Sequence, residues 1–456
     1  MLWTANELLE ATGGHTPNTQ WSASGVSIDT RTLEKSDVFI AISGDNFNAN
    51  NFIKTAFEKG ASGAIVSNLD VNCSLPQIIV DDTSLALRGM GIYSRARFQG
   101  EVIGITGSVG KTSVKDTLKK VLKNYGKTYA TVGNLNNHFG VPLTLSRIPK
   151  NTQYAIIEMG MSALGEITDL TSMARPTCAI VNTVEKAHLE FFTGIEQIAE
   201  AKAEIFLGLQ DGTAIYNMDT NCSDILLHAI KTQEVDYFTF GENENANLQL
   251  LSTTKTKNGQ RVFASLNGKN FVFDLPSLGQ HRAYNACAVL SILASIGIDP
   301  EIACKYLSTI TPAIGRGASA LYPVKGGEVL VYDETYNGVP ASMQASLQVL
   351  AQTTCQGRRI AILGDMLNLG EDSISLHKEI KETILKHDID LVLSCGKYMK
   401  YLQESLPVQK QGLWAENSEI LSQSVLEYLL PNDVLVIKGS AGSKMKLILN
   451  KIAGDL

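Results

Sequence analysis

Gly104-Ile105-Thr106-Gly107-Ser108-Val109-Gly110-Lys111-Thr112-Ser113 is the stretch on which the fold turns. Val102 to Thr106, where it begins, is mostly apolar or β-branched and suits a buried strand, whereas Thr112 to Tyr125 carries apolar side chains at helical spacing. Strand, glycine-rich loop, helix is the arrangement that cradles phosphate. The glycines let backbone N–H groups approach anionic oxygens with no Cβ in the way, and the helix N-terminus presents partial positive charge. In that setting Gly107, Ser108, Val109, Gly110, Lys111, Thr112 and Ser113 form a nucleotide-binding loop, with Lys111 reaching the β and γ phosphates and the Thr112 hydroxyl offered to Mg²⁺. The strict GxxxxGK[ST] pattern would place glycine where Ile105 stands, so this is a variant with its glycine at Gly107. A G-x-x-G-K-[ST] match arises by chance only about 0.02 times in a chain of this composition, which makes an ordinary glycine turn the weaker reading.

Outward from the loop, the chain divides into three units. The 456 residues, 44% hydrophobic, exceed what one core supports. Residues 1–98 read as a small α/β binding module, with short strands at Val38 to Ile42 and Ala64 to Val66 between Asn- and Gly-rich turns. Residues 99–313 read as a central P-loop ATPase-like parallel sheet, whose further strands, Ala155 to Glu158 and Ala179 to Asn182, end in polar residues at the sheet's carboxyl edge. Residues 314–456 read as a Rossmann-like doubly wound sheet, with strands at Val329 to Tyr332, Ile360 to Leu363, Leu391 to Leu393 and Val434 to Ile437 alternating with helices. The fold class is therefore α/β in three domains.

Composition removes several function classes. A net charge of −7 with no basic tract argues against a nucleic-acid partner. Seven scattered cysteines without a CxxC pair suggest buried thiols rather than disulfides or zinc. No apolar run approaches the ~20 residues needed to span a bilayer, and Met1 to Glu7 has neither a basic nor an apolar leader region, so a reducing cytoplasm and a monomer are expected.

Three further residues point to metal chemistry. Glu158 ends an apolar strand that faces the phosphate loop, where a carboxylate can hold Mg²⁺. His188 follows the strand ending at Asn182; a lone histidine is more often structural, and a ligand role is the sharper reading. Lys202 lies on a helix with Ile198, Ala201, Ile205 and Phe206 at apolar positions, and on local evidence it reads as a solvated lysine.

Taken together, the loop and these three segments resemble the central domain of the Mur ligases, a family that forms amide bonds at the expense of ATP. The resemblance implies two Mg²⁺ ions, with Thr112, Glu158, His188 and a carbamylated Lys202 about the metals, and Lys111, Glu158, His188 and Lys202 as catalytic residues. Carbamylation has a physical rationale, because an ammonium ~4 Å from a dication is repelled by about 8 kcal/mol at an effective dielectric of 20. A carbamate reverses that sign.

The likeness covers most of the chain. Gly133-Asn134-Leu135-Asn136-Asn137-His138-Phe139-Gly140 is similar to the family's paired-asparagine segment, which implies that Asn136 and Asn137 contact the muramoyl end of the substrate. Gly279-Gln280-His281-Arg282-Ala283-Tyr284-Asn285 implies that Asn285 meets adenine, and Arg316 and Asp333 match nucleotide contacts at the third domain. Ser27-Ile28-Asp29-Thr30-Arg31 resembles a uridine-diphosphate site, with Ser27, Thr30 and Arg31 as contacts. The segment from Asp333 through Tyr336 and Asn337 to Pro340, and Leu363 to Leu367, resemble the branch that adds D-alanyl-D-alanine to UDP-N-acetylmuramoyl-tripeptide; in it Tyr336 and Asn337 serve the dipeptide and closure of the third domain. Asn368, Ala441 and the Ala49-Asn50 pair depart from the family pattern.

Two other readings stay open at this point. One is the branch that adds the third amino acid; its arginine-bearing third-domain motif is absent here. The other is an ATP-dependent binding switch that ligates nothing.

Overall fold

The computed structural model describes residues 1–44 and 47–454. In the first unit, four parallel strands lie in the order Gly25–Ser27, Asp37–Ile40, Gly63–Val66, Gln77–Ile79. Ala49 and Asn50 fall in a short 3-10 turn beside this sheet. Helix Thr83–Arg97 fastens the sheet to the central unit. Arg95 donates to the carbonyls of Ala174 and Arg175 at 2.6 and 2.7 Å, placing a cation on the negative end of helix Glu166–Ala174. Trp3 is fully buried, lies under the Arg97 guanidinium at 4.1 Å and donates its indole N–H to the Ser146 carbonyl at 2.8 Å.

The central sheet has nine strands, with Glu101–Thr106 between Tyr154–Glu158 and Cys178–Val181. Its strands read as continuous apolar runs because both faces are covered. Ile103, Ile105, Ile156, Ile180 and Ile215 enter the core on one face, and Val102, Ala155, Ile157, Ala179 and Val181 enter the core on the other. After Glu101–Thr106 the chain builds strands on one side, then returns to place Cys178–Val181 on the other. That reversal opens a crevice at the carboxyl ends of the three strands, where the phosphate loop lies.

Beyond the parallel strands expected of it, the central sheet carries an antiparallel extension. Strands Leu248–Thr256, Gly259–Leu266 and Lys269–Leu275 extend it as an antiparallel meander. Lys257-Asn258 and Asn267-Gly268 form its turns, and Asn267 and Gly268 both take left-handed backbone (φ 47° and 85°), as a type I′ hairpin turn requires. The cysteine expectation is corrected in part: Cys178, Cys287, Cys304 and Cys395 are buried, while Cys73, Cys222 and Cys355 are partly exposed.

In the third unit, Ala318–Val324 pairs antiparallel with Gly327–Glu334; Val434–Lys438, Arg359–Gly364, Leu391–Cys395 and Gln411–Ala415 follow in parallel. His377, fully buried, donates from Nδ1 to the Ser373 carbonyl at 2.5 Å and accepts the Met366 N–H on Nε2 at 2.9 Å. Both ring nitrogens are thus used in the neutral form, and a second proton would face the Met366 N–H.

Burial holds the His377 pKa below the ordinary histidine value, against the opposing pull of the Ser373 carbonyl and Asp365. The unfolded chain therefore takes up the proton first, and stability is lost as pH falls through about 6.5. The melting temperature should drop between about pH 7 and about pH 5, and scanning calorimetry should find a smaller drop in His377→Asn.

Candidate active site

Helix Lys111–Leu122 starts at Gly110, which caps it in left-handed backbone (φ 85°). A Cβ at Gly110 would land on the side-chain amides of Asn182 and Asn285, so only glycine fits. The loop is held from below. Ser108 Oγ donates to the Glu185 carbonyl at 3.0 Å, and Asn182 Nδ2 donates to the Val109 carbonyl and to Asn285 Oδ1 at 3.1 and 3.0 Å. Thr106 Oγ1 and Asn182 Oδ1 are buried beside it without a partner.

Glu158 is the hub of the site. At 1% exposure its carboxylate must be paired, and it accepts the Thr112 hydroxyl on Oε2 and Asn136 Nδ2 on Oε1, both at 2.8 Å. Lys115 Nζ stands 3.5 Å from Oε2. The sequence places Thr112 and Glu158 46 residues apart, and the parallel register Glu158↔Ile105 brings them together.

Lys202 is corrected from a solvated lysine to a buried one, 3% exposed. Burial, then Lys111, pushes its pKa well below the ordinary lysine value. Lys111 is itself lowered by burial, with Glu158 opposing and Arg316 assisting. His188 stands in left-handed backbone (φ 61°); burial, then Lys111 and Lys202, pushes its pKa down to about 4. Lys111, Lys202 and His188 thus repel one another in their charged forms, a local setting that an anionic ligand would relieve.

These residues open into one cavity of about 1120 Å³, large enough for more than one substrate. Its lining includes Ser108 through Ser113, Glu158, His188, Lys202 and Asn285 from the central unit, together with Asn136 and Asn137. Arg316, Tyr336 and Asn337 line it from the third unit, and Arg316 stacks 3.8 Å over the Tyr336 ring. A narrower slot shares Ser113, Arg282, Asn285 and Arg316 with the cavity and is walled by Leu275, Pro276, Leu307, Ile310 and Pro312.

Four expected residues lie elsewhere. Asp333 is not part of the cavity lining; its buried carboxylate accepts the N–H groups of Gly315 (2.7 Å) and Thr335 (3.1 Å) and the Thr335 hydroxyl, bracing the connection into the third unit. Ser27, Thr30 and Arg31 sit at the carboxyl edge of the first sheet, outside the cavity; Arg31 is exposed and paired with Asp29 at 2.7 Å.

Sequence reading missed the neighbouring residue Glu334, which lines the cavity and pairs with Arg282 at 3.2 Å and Lys438 at 3.5 Å. It also missed Lys115. Lys115 occupies an apolar helical stripe with Lys111, Leu118 and Leu122, and a lysine on such a stripe was the available signal.

Among the described residues no group of three His, Cys, Asp or Glu converges on a metal position. Thr112 and Glu158 offer hard oxygen donors, which fits Mg²⁺, an ion that takes its remaining ligands from phosphate and water.

The comparisons with known proteins agree with this geometry. Residues 105–293 match the Mur ligase middle domain, and residues 322–441 match the Mur ligase, glutamate ligase domain. A UDP-N-acetylmuramoyl-tripeptide--D-alanyl-D-alanine ligase from Rickettsia prowazekii is 33% identical over 99% of both chains. The chain belongs to the Mur ligase family. An Escherichia coli ligase of the same name is 32% identical over 98% of both chains. MurF of Acinetobacter baumannii superposes with a TM-score of 0.88 at 28% identity over 99% of both chains. MurF of Thermotoga maritima, solved in complex with ADP, superposes with a TM-score of 0.80 at 25% identity, covering 94% of this chain and 97% of that one.

Gly110→Ala should weaken binding of MgADP at least about tenfold with little loss of thermal stability, since it strains only the loop; isothermal titration of the purified variant checks this.

Proposed function

We propose that this Mur ligase joins D-alanyl-D-alanine to UDP-N-acetylmuramoyl-tripeptide, with ATP as the energy source. The observation that carries the reading is the single cavity in which the phosphate loop, Glu158, the Asn136 segment and the Tyr336-Asn337 segment of the third unit all meet. Full-length likeness to ligases of that name supports the same choice of substrates. We divide the chain at 98/99 and 313/314, a reading supported by the separate four-, nine- and six-stranded sheets, with each unit serving one part of the substrate set.

A carboxylate is a poor electrophile, so it must first be activated. In the proposed reaction a terminal carboxylate oxygen of the tripeptide attacks the γ phosphorus of ATP, the bond to the β-phosphate oxygen breaks, and ADP leaves an acyl phosphate. The amine of the dipeptide then attacks the acyl carbon, losing a proton as the C–N bond forms, and inorganic phosphate departs. Lys111 holds the transferred phosphoryl group, and the loop N–H groups orient the chain of phosphates. Thr112, Glu158, His188 and a carbamylated Lys202 would hold Mg²⁺, which would neutralise charge developing on phosphate oxygens.

The slot beside Asn285 suits the adenine, with apolar walls for its faces and an amide for its edge. Arg316 serves the phosphates, while Asp333 acts on the nucleotide indirectly, through the backbone around Gly315. Asn136 and Asn137 serve the muramoyl end, and Ser27, Thr30 and Arg31 serve the uridine diphosphate. Tyr336 and Asn337 serve the dipeptide. No helix among the described residues is long and apolar enough to cross a membrane, and seven unpaired cysteines suit a reducing cytoplasm.

Burial of Lys202 favours the uncharged amine that reacts with CO₂ to form a carbamate. Carbon NMR of protein equilibrated with labelled bicarbonate should show one carbamate signal that disappears in Lys202→Ala; its persistence in that variant would place the modification elsewhere.

ADP release should require ATP, Mg²⁺, UDP-N-acetylmuramoyl-tripeptide and D-alanyl-D-alanine together, with one amide formed per ADP by mass analysis. Turnover with a single amino acid and a UDP-muramoyl-dipeptide would move the chain to the neighbouring branch. Turnover without any acceptor amine would make it a switch.

A further inference from the structure

Lys115 is 1% exposed, lies one helical turn beyond Lys111, and has no part in the chemistry above. A lysine is almost never buried this fully without partners that compensate its lost hydration. Its Nζ donates to the Gly133 carbonyl at 2.9 Å and stands 3.5 Å from both Glu158 Oε2 and Asp116 Oδ1. Gly133 opens the loop that carries Asn134, Asn136, Asn137 and His138 into the cavity.

The tip of that loop is exposed, and few polar ties hold it to the sheet. The Gly160 N–H donates to the Asn136 carbonyl at 2.8 Å, Asn136 Nδ2 donates to Glu158, and Lys115 holds Gly133. Two of these three ties converge on Glu158, one directly and one through Lys115. Gly133 takes left-handed backbone (φ 57°), and its carbonyl is turned to a donor that comes from the phosphate-loop helix rather than from the loop itself.

We propose that Lys115 is a positioning residue for the UDP-linked substrate: by holding the Gly133 carbonyl and Glu158 at once, it sets the asparagine loop against the nucleotide site. It touches neither the reacting carboxylate nor the phosphates. Its effect falls on substrate capture, and it makes the muramoyl subsite and the nucleotide subsite share one carboxylate, so that their affinities are linked reciprocally. The inference rests on the function proposed above.

The test is direct binding to nucleotide-free protein. Wild type and Lys115→Met are titrated calorimetrically with UDP-N-acetylmuramoyl-tripeptide and, separately, with MgADP. The variant should bind the UDP-linked substrate about ten- to hundredfold more weakly, the loss expected for one hydrogen bond from a charged donor, and MgADP within about threefold of wild type. Steady-state kinetics should show the same loss in KM for that substrate with a smaller change in kcat. In a cycle with Asn136→Ala, the two losses should be less than additive, since both residues hold one loop.

Equal binding of the UDP-linked substrate by variant and wild type, or equal weakening toward both ligands, overturns the proposal. If wild type itself fails to bind UDP-N-acetylmuramoyl-tripeptide, the proposed function fails instead. Should Lys115→Met not fold, Lys115→Gln is titrated in the same way and judged by the same two outcomes.

Discussion

A carboxylate buried at the end of an apolar strand cannot stand alone, and the geometry of the central unit follows from how Glu158 is satisfied. Its strand is drawn into the sheet by Ile156 and Ile157, which enter opposite cores, and this leaves the carboxylate at the carboxyl edge with almost no solvent. Thr112 from the phosphate-loop helix, Asn136 from the cavity loop and Lys115 from the same helix supply its partners. Two come from one helix and the third from the cavity loop, so pairing one buried charge fixes the relative positions of a nucleotide loop and a substrate loop.

Beside this hub two buried lysines and a histidine act on one another. Lys111 and Lys202 are both driven toward the neutral form by burial, and each depresses His188. Anionic phosphate would relieve the mutual repulsion of Lys111 and Lys202.

Polar contacts help to hold the third unit over the cavity. Arg282 reaches Glu334 and the Arg316 carbonyl, Lys255 at the meander's turn donates to the Gln352 carbonyl at 2.7 Å, and the Glu190 N–H donates to the Asn368 carbonyl at 3.3 Å. Leu189, next to His188, packs on the third unit's core. Asn368, a departure from the family pattern, acts at this contact through its backbone, in a left-handed conformation (φ 62°) that asparagine adopts more readily than most residues. Ala441 lines the cavity and brings no charge to it.

Local patterns in the sequence determined the elements. The Gly107–Thr112 loop, the apolar strands on either side of it and the helical stripe from Thr112 each encode their conformation within a few residues, and so the three-unit α/β order was legible before any coordinates. The second turn of the meander was legible too, in Asn267-Gly268. Burial of charge was legible only at Lys115, through its helical stripe. Lys202 and Glu334 look like ordinary surface residues in the sequence, because what surrounds them comes from distant segments, 104 residues away between Glu334 and Lys438. Asp333 shows the converse, a residue matched to the nucleotide whose carboxylate the fold uses to brace its own backbone. Periodicity and turn chemistry are local and can be read in one dimension; desolvation and pairing depend on distance through space, and only the tertiary structure sets that distance.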